Sequence, residues 1–261
     1  MCFSDCYIFF GSKTQYKIES YSNKFKNCIL KKIIFLLFII CVKVVYPQNT
    51  LNKYGLTIYD NTSSLMSHIK ADSNKRFVDL KDFIPGIVLD IKYASVQNVF
   101  YEQLYPSSYA LLRFPAANAL KKVQKELNSK GYALKIYDAY RPYSVTCRMW
   151  NILPDTIYMG LPWTGSKHNR GISLDLTLID LQSNREIKMP TPFDALVYAS
   201  HPSFSLLPEE ILRSRDLLIN TMIKYGFKVD PVEWWHFNYL SDKSFELLDI
   251  PHEEIIKTIN K

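Results

Sequence analysis

The chain has 261 residues, 48% of them hydrophobic, which suffices for a folded core and for one large domain or two small ones. Its formal charge of +7 is unevenly placed: residues 1–48 carry +5 and the remainder only +2, so the body has no electrostatic footprint for a nucleic acid. Four of the five cysteines also lie in that leader, and the lone body cysteine, Cys147, excludes both an internal disulfide and a Cys-rich zinc ribbon there.

In chain order, the first feature is "LKKIIFLLFIICVKVVYPQ", residues 30–48: two lysines, ten apolar residues from Ile33 to Val42, then a polar exit. A spanning helix needs about 20 apolar residues. The run is short for that and fits a bacterial export signal. Residues 1–48 are therefore read as a leader, with a periplasmic destination, or a cytoplasmic one if the leader does not act as a signal. No A-x-A cleavage pattern follows. Lipidation at Cys41 and retention as an anchor are the alternative fates, and residues 1–29 fit a start assigned too far upstream. Residues 49–76 are polar with weak periodicity and read as a linker or N-terminal extension. The main domain spans 77–261.

Within it, "FVDLKDFIPGIVLDIKYA" has strand-like stretches broken by a Pro-Gly turn. "FPAANALKKVQKELNSKGY" predicts a helix: Pro115 suits its first turn, Gly131 its stop, and Ala117, Leu120, Val123 and Leu127 share one face. "YALKIYDAY" follows as a strand leading into "RPYS", after which Cys147 reads as a small buried residue. "GISLDLTLI" alternates Ile172, Leu174, Leu176 and Leu178 with Ser173, Asp175, Thr177 and Ile179, a strand with one buried face. "PEEILRSRDLLINTMIKYG" predicts a second helix, and "FKVDPVEWWHFNY" a final strand region, on which at most one of Trp234 and Trp235 faces a site while the other packs. Helices and strands mix without a regular βαβ rhythm, so the fold class is α+β.

Chemistry gathers in three separated pieces: "SKHNRGISLDL", "EWWH" and "DAYRP". Singly, His168, Asp175 and His236 read as ordinary hydrogen-bonded residues. Together they supply the three imidazole and carboxylate ligands that a hydrolytic zinc needs. Asp175 sits in an apolar neighbourhood, where a buried carboxylate needs a partner. Glu233 lies three residues from His236 and can handle protons beside an ion. Arg141 offers a fixed positive charge to an oxyanion. Arg170 reads equally as a loop charge or a support, His201 as a loop or capping residue, and His68 and His252 as solvent-facing.

"SKHNRGISLDLTL" and "EWWHF" resemble the S-x-H-x6-D and E-x-x-H motifs of the zinc D-alanyl-D-alanine dipeptidases of the VanX type. "DIKYASVQNVF", "DAYRP" and "MPTPFD" appear in that family's order, so the likeness runs from residue 77 to about 240. It implies a hedgehog/DD-peptidase-like fold, a mostly antiparallel central sheet with flanking helices. It implies one Zn²⁺ per chain on His168, Asp175 and His236, Glu233 as catalytic base, and Arg141 as stabiliser of the tetrahedral intermediate. Tyr93, Ser166 and Asp194 match positions lining the dipeptide pocket, where a carboxylate such as Asp194 would favour a free ammonium end. "DAYRP" and "ISLD" stand where the family more often has "DGYRP" and "SAID". The implied activity is hydrolysis of D-alanyl-D-alanine in cell-wall peptide metabolism. The alternatives are a D,D-carboxypeptidase or L,D-type endopeptidase, or a non-catalytic zinc-containing binding domain. The expected partner is a small dipeptide, with no nucleic acid, and with a membrane only through the leader.

Overall fold

A computed structural model describes residues 51–260, which fall within one compact unit, Asn49–Lys261. The leader, and with it the expected export signal, lipidation at Cys41 and upstream start, lies outside the described residues. Among the described residues, no helix is long and apolar enough to cross a membrane.

The alternating "SLDLTLID" forms the longest strand, β6 (Ser173–Asp180), at the centre of a six-stranded sheet. On one side it pairs antiparallel with β5 (Tyr132–Asp138), which in turn pairs parallel with β3 (Val88–Leu89). On the other it pairs antiparallel with β9 (His236–Tyr239), and β9 with β8 (Phe227–Val229). Short β7 (Arg185–Glu186) pairs with the far end of β6. The sheet is thus mostly antiparallel and the class α+β, as expected.

Leu174, Leu176 and Leu178 point to one face of β6, where two amphipathic helices cover them. Helix α3 (Phe114–Asn128) contributes Leu120, Val123 and Leu127, with Pro115 in its first turn; Gly131, in the left-handed region at φ +85°, turns the chain into β5. Helix α5 (Glu209–Lys224) adds Leu218 and Met222. The opposite face of β6 is buried as well, contrary to the one-faced expectation: Ser173, Asp175 and Thr177 are all buried. Phe193 covers part of that face, packing on Tyr137 and Trp235.

Several other expectations need correction. "FKVDPVEWWHFNY" is two strands, β8 and β9, joined by a turn that holds Trp234 and Trp235, so strand alternation does not decide their facing; both are buried. Residues 51–76, read as a linker or an N-terminal extension, carry regular structure. They contain β1 (Ile58–Tyr59) and helix α1 (Thr62–Ala71), capped by Asn61, whose side chain accepts from Ser64 N–H. Strand β1 pairs parallel with β10 (Leu247–Leu248), which precedes α6 (His252–Ile259). His252 is buried rather than solvent-facing, its ring donating to the Tyr140 carbonyl at 2.8 Å. Cys147, in α4 (Tyr143–Ile152), is half-buried. The remaining elements are β2 (Phe77–Asp79), α2 (Leu80–Phe83) and β4 (Leu111–Arg113), with β2 and β4 pairing antiparallel.

Candidate active site

The sheet register builds the site. Asp138 on β5 sits opposite Asp175 on β6, and Asp175 sits opposite His236 on β9. Directly opposed residues on neighbouring strands share a face. A bulge in β5 between Ile136 and Asp138 makes this possible. Ile136 pairs on the core face, and without the extra residue Asp138 would follow it there; the bulge re-aims it beside Asp175. The fourth member, His168, comes from a 3₁₀ turn, His168–Arg170, that Gly171 ends at φ +71° two residues before β6.

Hydrogen bonds fix which nitrogen of each imidazole is free. His168 Nδ1 lies 2.6 Å from the Ala139 carbonyl, which can only accept, so Nδ1 carries the proton and Nε2 faces the cluster. His236 Nε2 lies 3.2 Å from Asn238 Oδ1, leaving Nδ1 to face the cluster. The inward atoms stand close: His168 Nε2 to His236 Nδ1 is 3.2 Å, His236 Nδ1 to Asp175 Oδ1 2.9 Å, and His168 Nε2 to Asp175 Oδ1 3.6 Å. Ligands of a tetrahedral zinc with bonds of about 2.0–2.2 Å lie roughly 3.3 Å apart, so these spacings suit one ion. Two imidazole lone pairs and a carboxylate, buried and aimed at one point, also form the donor set that zinc prefers. His168, Asp175 and His236 are a candidate metal-binding triad.

Three further groups surround it. Arg141 is buried, and its Nε and Nη2 donate to Asp138 Oδ2 at 3.0 and 2.7 Å, while Nη2 stands 3.9 Å from Asp175 Oδ2. Burial alone would lower its pKa, but the Asp138 carboxylate and its neighbours outweigh that and hold the guanidinium firmly charged. Glu233 Oε2 lies 3.8 Å from His236 Nδ1, and burial pushes its carboxyl up to about 8 against the pull of His236. Asp194 accepts from the Tyr93 hydroxyl at 2.9 Å; burial, helped by Asp175, pushes it up to about 8. Its backbone lies in the left-handed region at φ +59°, which Asp tolerates better than most residues. Asp175 is held the other way: burial works against its charge, but the two histidines pull it below the usual carboxylate range. For His236, burial disfavours the proton, yet the Asp175 carboxylate raises the ring to about 9.

These groups line a cavity of about 170 Å³, which also receives Tyr93, Ser166, Phe100, Met149 and Trp235. That is below the roughly 300–1,000 Å³ of drug-sized ligand pockets. The structure therefore brings all eight expected residues to one cavity: His168, Asp175, His236, Glu233, Arg141, Tyr93, Ser166 and Asp194. Trp235 lines it and Trp234 does not; the Trp234 indole N–H donates to Thr191. Arg170 instead donates to the Phe245 carbonyl, away from the cavity. His201 follows a 3₁₀ turn, as a loop histidine should, with its Nε2 3.3 Å from the Tyr158 hydroxyl.

Sequence reasoning missed Asp138, Asn238 and Asp230. Asp138 stood inside the quoted "DAYRP", three residues before the arginine it holds. Asn238 could have been found by alternation, because it lies two residues after His236 on the same strand face. Asp230 lines the cavity and its carboxylate accepts from Val232 N–H at 3.0 Å in the turn that carries Glu233; no sequence signal marked it.

Comparison with known proteins gives a consistent set of matches. A family model, Peptidase M15, described as "D-ala-D-ala dipeptidase", matches residues 73–258. A D-alanyl-D-alanine dipeptidase of Escherichia coli (strain K12) is 35% identical over 171 residues, 66% of this chain and 88% of that protein. One of Enterococcus faecium is 27% identical over 181 residues, 62% of this chain and 90% of that protein. Among solved structures, a zinc-bound variant of the vancomycin-resistance D,D-pentapeptidase VanY overlays 59% of this chain and 82% of its own, at 12% identity and a TM-score of 0.35.

Proposed function

We propose, from the premise that this chain belongs to the peptidase M15 family of D-Ala-D-Ala dipeptidases, that it hydrolyses D-alanyl-D-alanine with one zinc ion held by His168 Nε2, Asp175 and His236 Nδ1. A zinc in that position supplies a Lewis acid that polarises the scissile carbonyl and acidifies water. Glu233, beside His236, takes the proton of the attacking water and returns it to the leaving amine. Burial makes this carboxylate a stronger base than one in solvent, and a cation held by the triad would act in the opposite direction. Arg141, oriented by Asp138, offers its charge to the oxyanion as the carbonyl carbon becomes tetrahedral. Asp194 receives the ammonium end of the dipeptide, whose charge favours the ionised carboxylate that burial alone disfavours, with Tyr93 donating to that carboxylate. Ser166 gives the substrate a hydroxyl at the wall that carries His168.

The observation that carries this reading is the convergence of the triad, Glu233 and Arg141 in one cavity that Asp194 also lines. A carboxylate on that wall, which can pair with a free ammonium end, favours a free dipeptide over an N-blocked peptide. The apolar run Ile33–Val42 supports export, and an exported enzyme would act on cell-wall fragments rather than on a cytosolic precursor pool.

The test is a hydrolysis panel of D-Ala-D-Ala, L-Ala-L-Ala and N-acetyl-D-Ala-D-Ala, with chelator and with zinc restored. Cleavage of D-Ala-D-Ala alone, lost with chelator and regained with zinc, is expected. Equal cleavage of the N-acetylated peptide would replace the dipeptidase reading with a carboxypeptidase. Glu233→Ala should keep its zinc and lose turnover; full turnover in that variant would remove the proposed base.

A further inference from the structure

We infer that residues 51–59, which precede the family match at residue 73, brace the wall of the substrate cavity, and that Asn52 is a positioning residue for it. This rests on the dipeptidase reading, in which that wall faces the substrate. The wall is the long segment between α4 and β6, which supplies Ile157, Tyr158, Met159, Gly160 and Ser166 to the cavity. The segment has no helix or strand before the His168 turn, and it is held by turns of its own and by its neighbours.

Among the contacts that hold it, two lead back to the N-terminal side, one through Tyr143 and one through Leu247. The Tyr143 hydroxyl has a single proton, which it donates to the Pro162 carbonyl at 2.6 Å. Its oxygen then accepts from Asn52 Nδ2 at 2.8 Å, so Asn52 fixes the direction in which that proton points. Asn52 is itself fixed: its Oδ1 accepts from the N–H groups of Tyr54 and Leu56 at 2.9 and 3.0 Å, closing a tight turn through Gly55 at φ +77°. From that turn the Tyr54 ring meets Trp163 edge-on at 6.4 Å, and Trp163 meets Trp150 of α4 at 5.0 Å. The second contact runs through the sheet. Ile58 of β1 pairs with Leu247 of β10, and the Leu247 side chain packs so closely on Gly165 that a Cβ there has no room. Gly165 immediately precedes Ser166.

The substitution that isolates the brace is Asn52→Asp. It keeps Oδ1 and the turn, but replaces the donor facing Tyr143 with an acceptor, which draws the hydroxyl proton away from Pro162. Expected for Asn52→Asp, and for Tyr143→Phe, is a rise in KM for D-Ala-D-Ala of about threefold to tenfold with kcat within about twofold, the loss of one hydrogen bond's worth of positioning. Amide hydrogen exchange in 157–163 should quicken while β6 stays protected, and the double variant should be no worse than either single one. Unchanged KM and unchanged exchange in both single variants would overturn the inference. So would equal quickening across β6, because that means general loosening of the fold. If the unsubstituted protein fails to cleave the dipeptide, the functional reading fails, and the exchange comparison still decides the brace.

Discussion

His236 shows how much of this site depends on one neighbour. Its ring has two nitrogens, and the Asn238 side chain claims one of them, so the other is delivered to the cluster with its lone pair free. Losing such an outer partner typically weakens metal binding by about 10–100-fold. Asn238→Ala should do so in a zinc competition titration, with the far-UV spectrum unchanged. Arg141 belongs to a different category. It contacts the carboxylates of Asp138 and Asp175 without being a metal ligand, so Arg141→Ala should retain its zinc and lose roughly 10²–10³ in kcat. Zinc content by mass spectrometry, measured beside kcat, separates the two roles.

At the scale of elements, the 3₁₀ turn carrying His168 and the strand carrying Asp175 are joined by only two residues, Gly171 and Ile172. The glycine lies in the left-handed region, and the Phe77 ring sits where a Cβ would be. Gly171→Ala should therefore combine backbone strain with a clash and destabilise the protein by about 2–4 kcal/mol, read as a shift in the denaturant midpoint. This junction also marks what the sequence could and could not convey. Helices α3 and α5 were legible because their apolar periodicity, Pro115 and the glycines at their ends are all local signals. His168, Asp175, His236, Glu233 and Arg141 were legible because three spaced motifs coincide, whereas Tyr93, Ser166 and Asp194 were named only through the family likeness. The bulge in β5 was not, since nothing local in "KIYDAY" sets the register against β6. The turn between β8 and β9 was not, because two tryptophans imitate strand. The N-terminal segment was polar, and its order comes from distant partners, Leu247 and Tyr143, that no local pattern reports. His252 was misread for the same reason: its burial depends on the Tyr140 carbonyl, 112 positions away.

For the whole molecule, the site concentrates buried charge that the fold alone does not neutralise. Without metal, Glu233 and Asp194 are pushed up to about 8 and His236 to about 9. The signs agree. A carboxyl with a raised folded-state pKa keeps its proton in the fold after the unfolded chain has lost it, so its contribution declines as pH rises from about 4 to about 8. A histidine raised to about 9 contributes fully below about 6.5 and loses that contribution as pH climbs through 9. Metal-free protein should therefore show a falling Tm between about pH 6 and about pH 9. Zinc favours the deprotonated forms and should flatten that slope, besides raising Tm by mass action. A metal-free Tm that rises over the same interval would contradict this electrostatic account. The account as a whole depends on one point in space, and anomalous diffraction at the zinc edge from crystals of the zinc-loaded protein tests it most directly. It predicts a single strong peak in contact with His168 Nε2, a carboxylate oxygen of Asp175 and His236 Nδ1, with Glu233 beside it. A peak elsewhere, or none on that triad at full zinc loading, would contradict it.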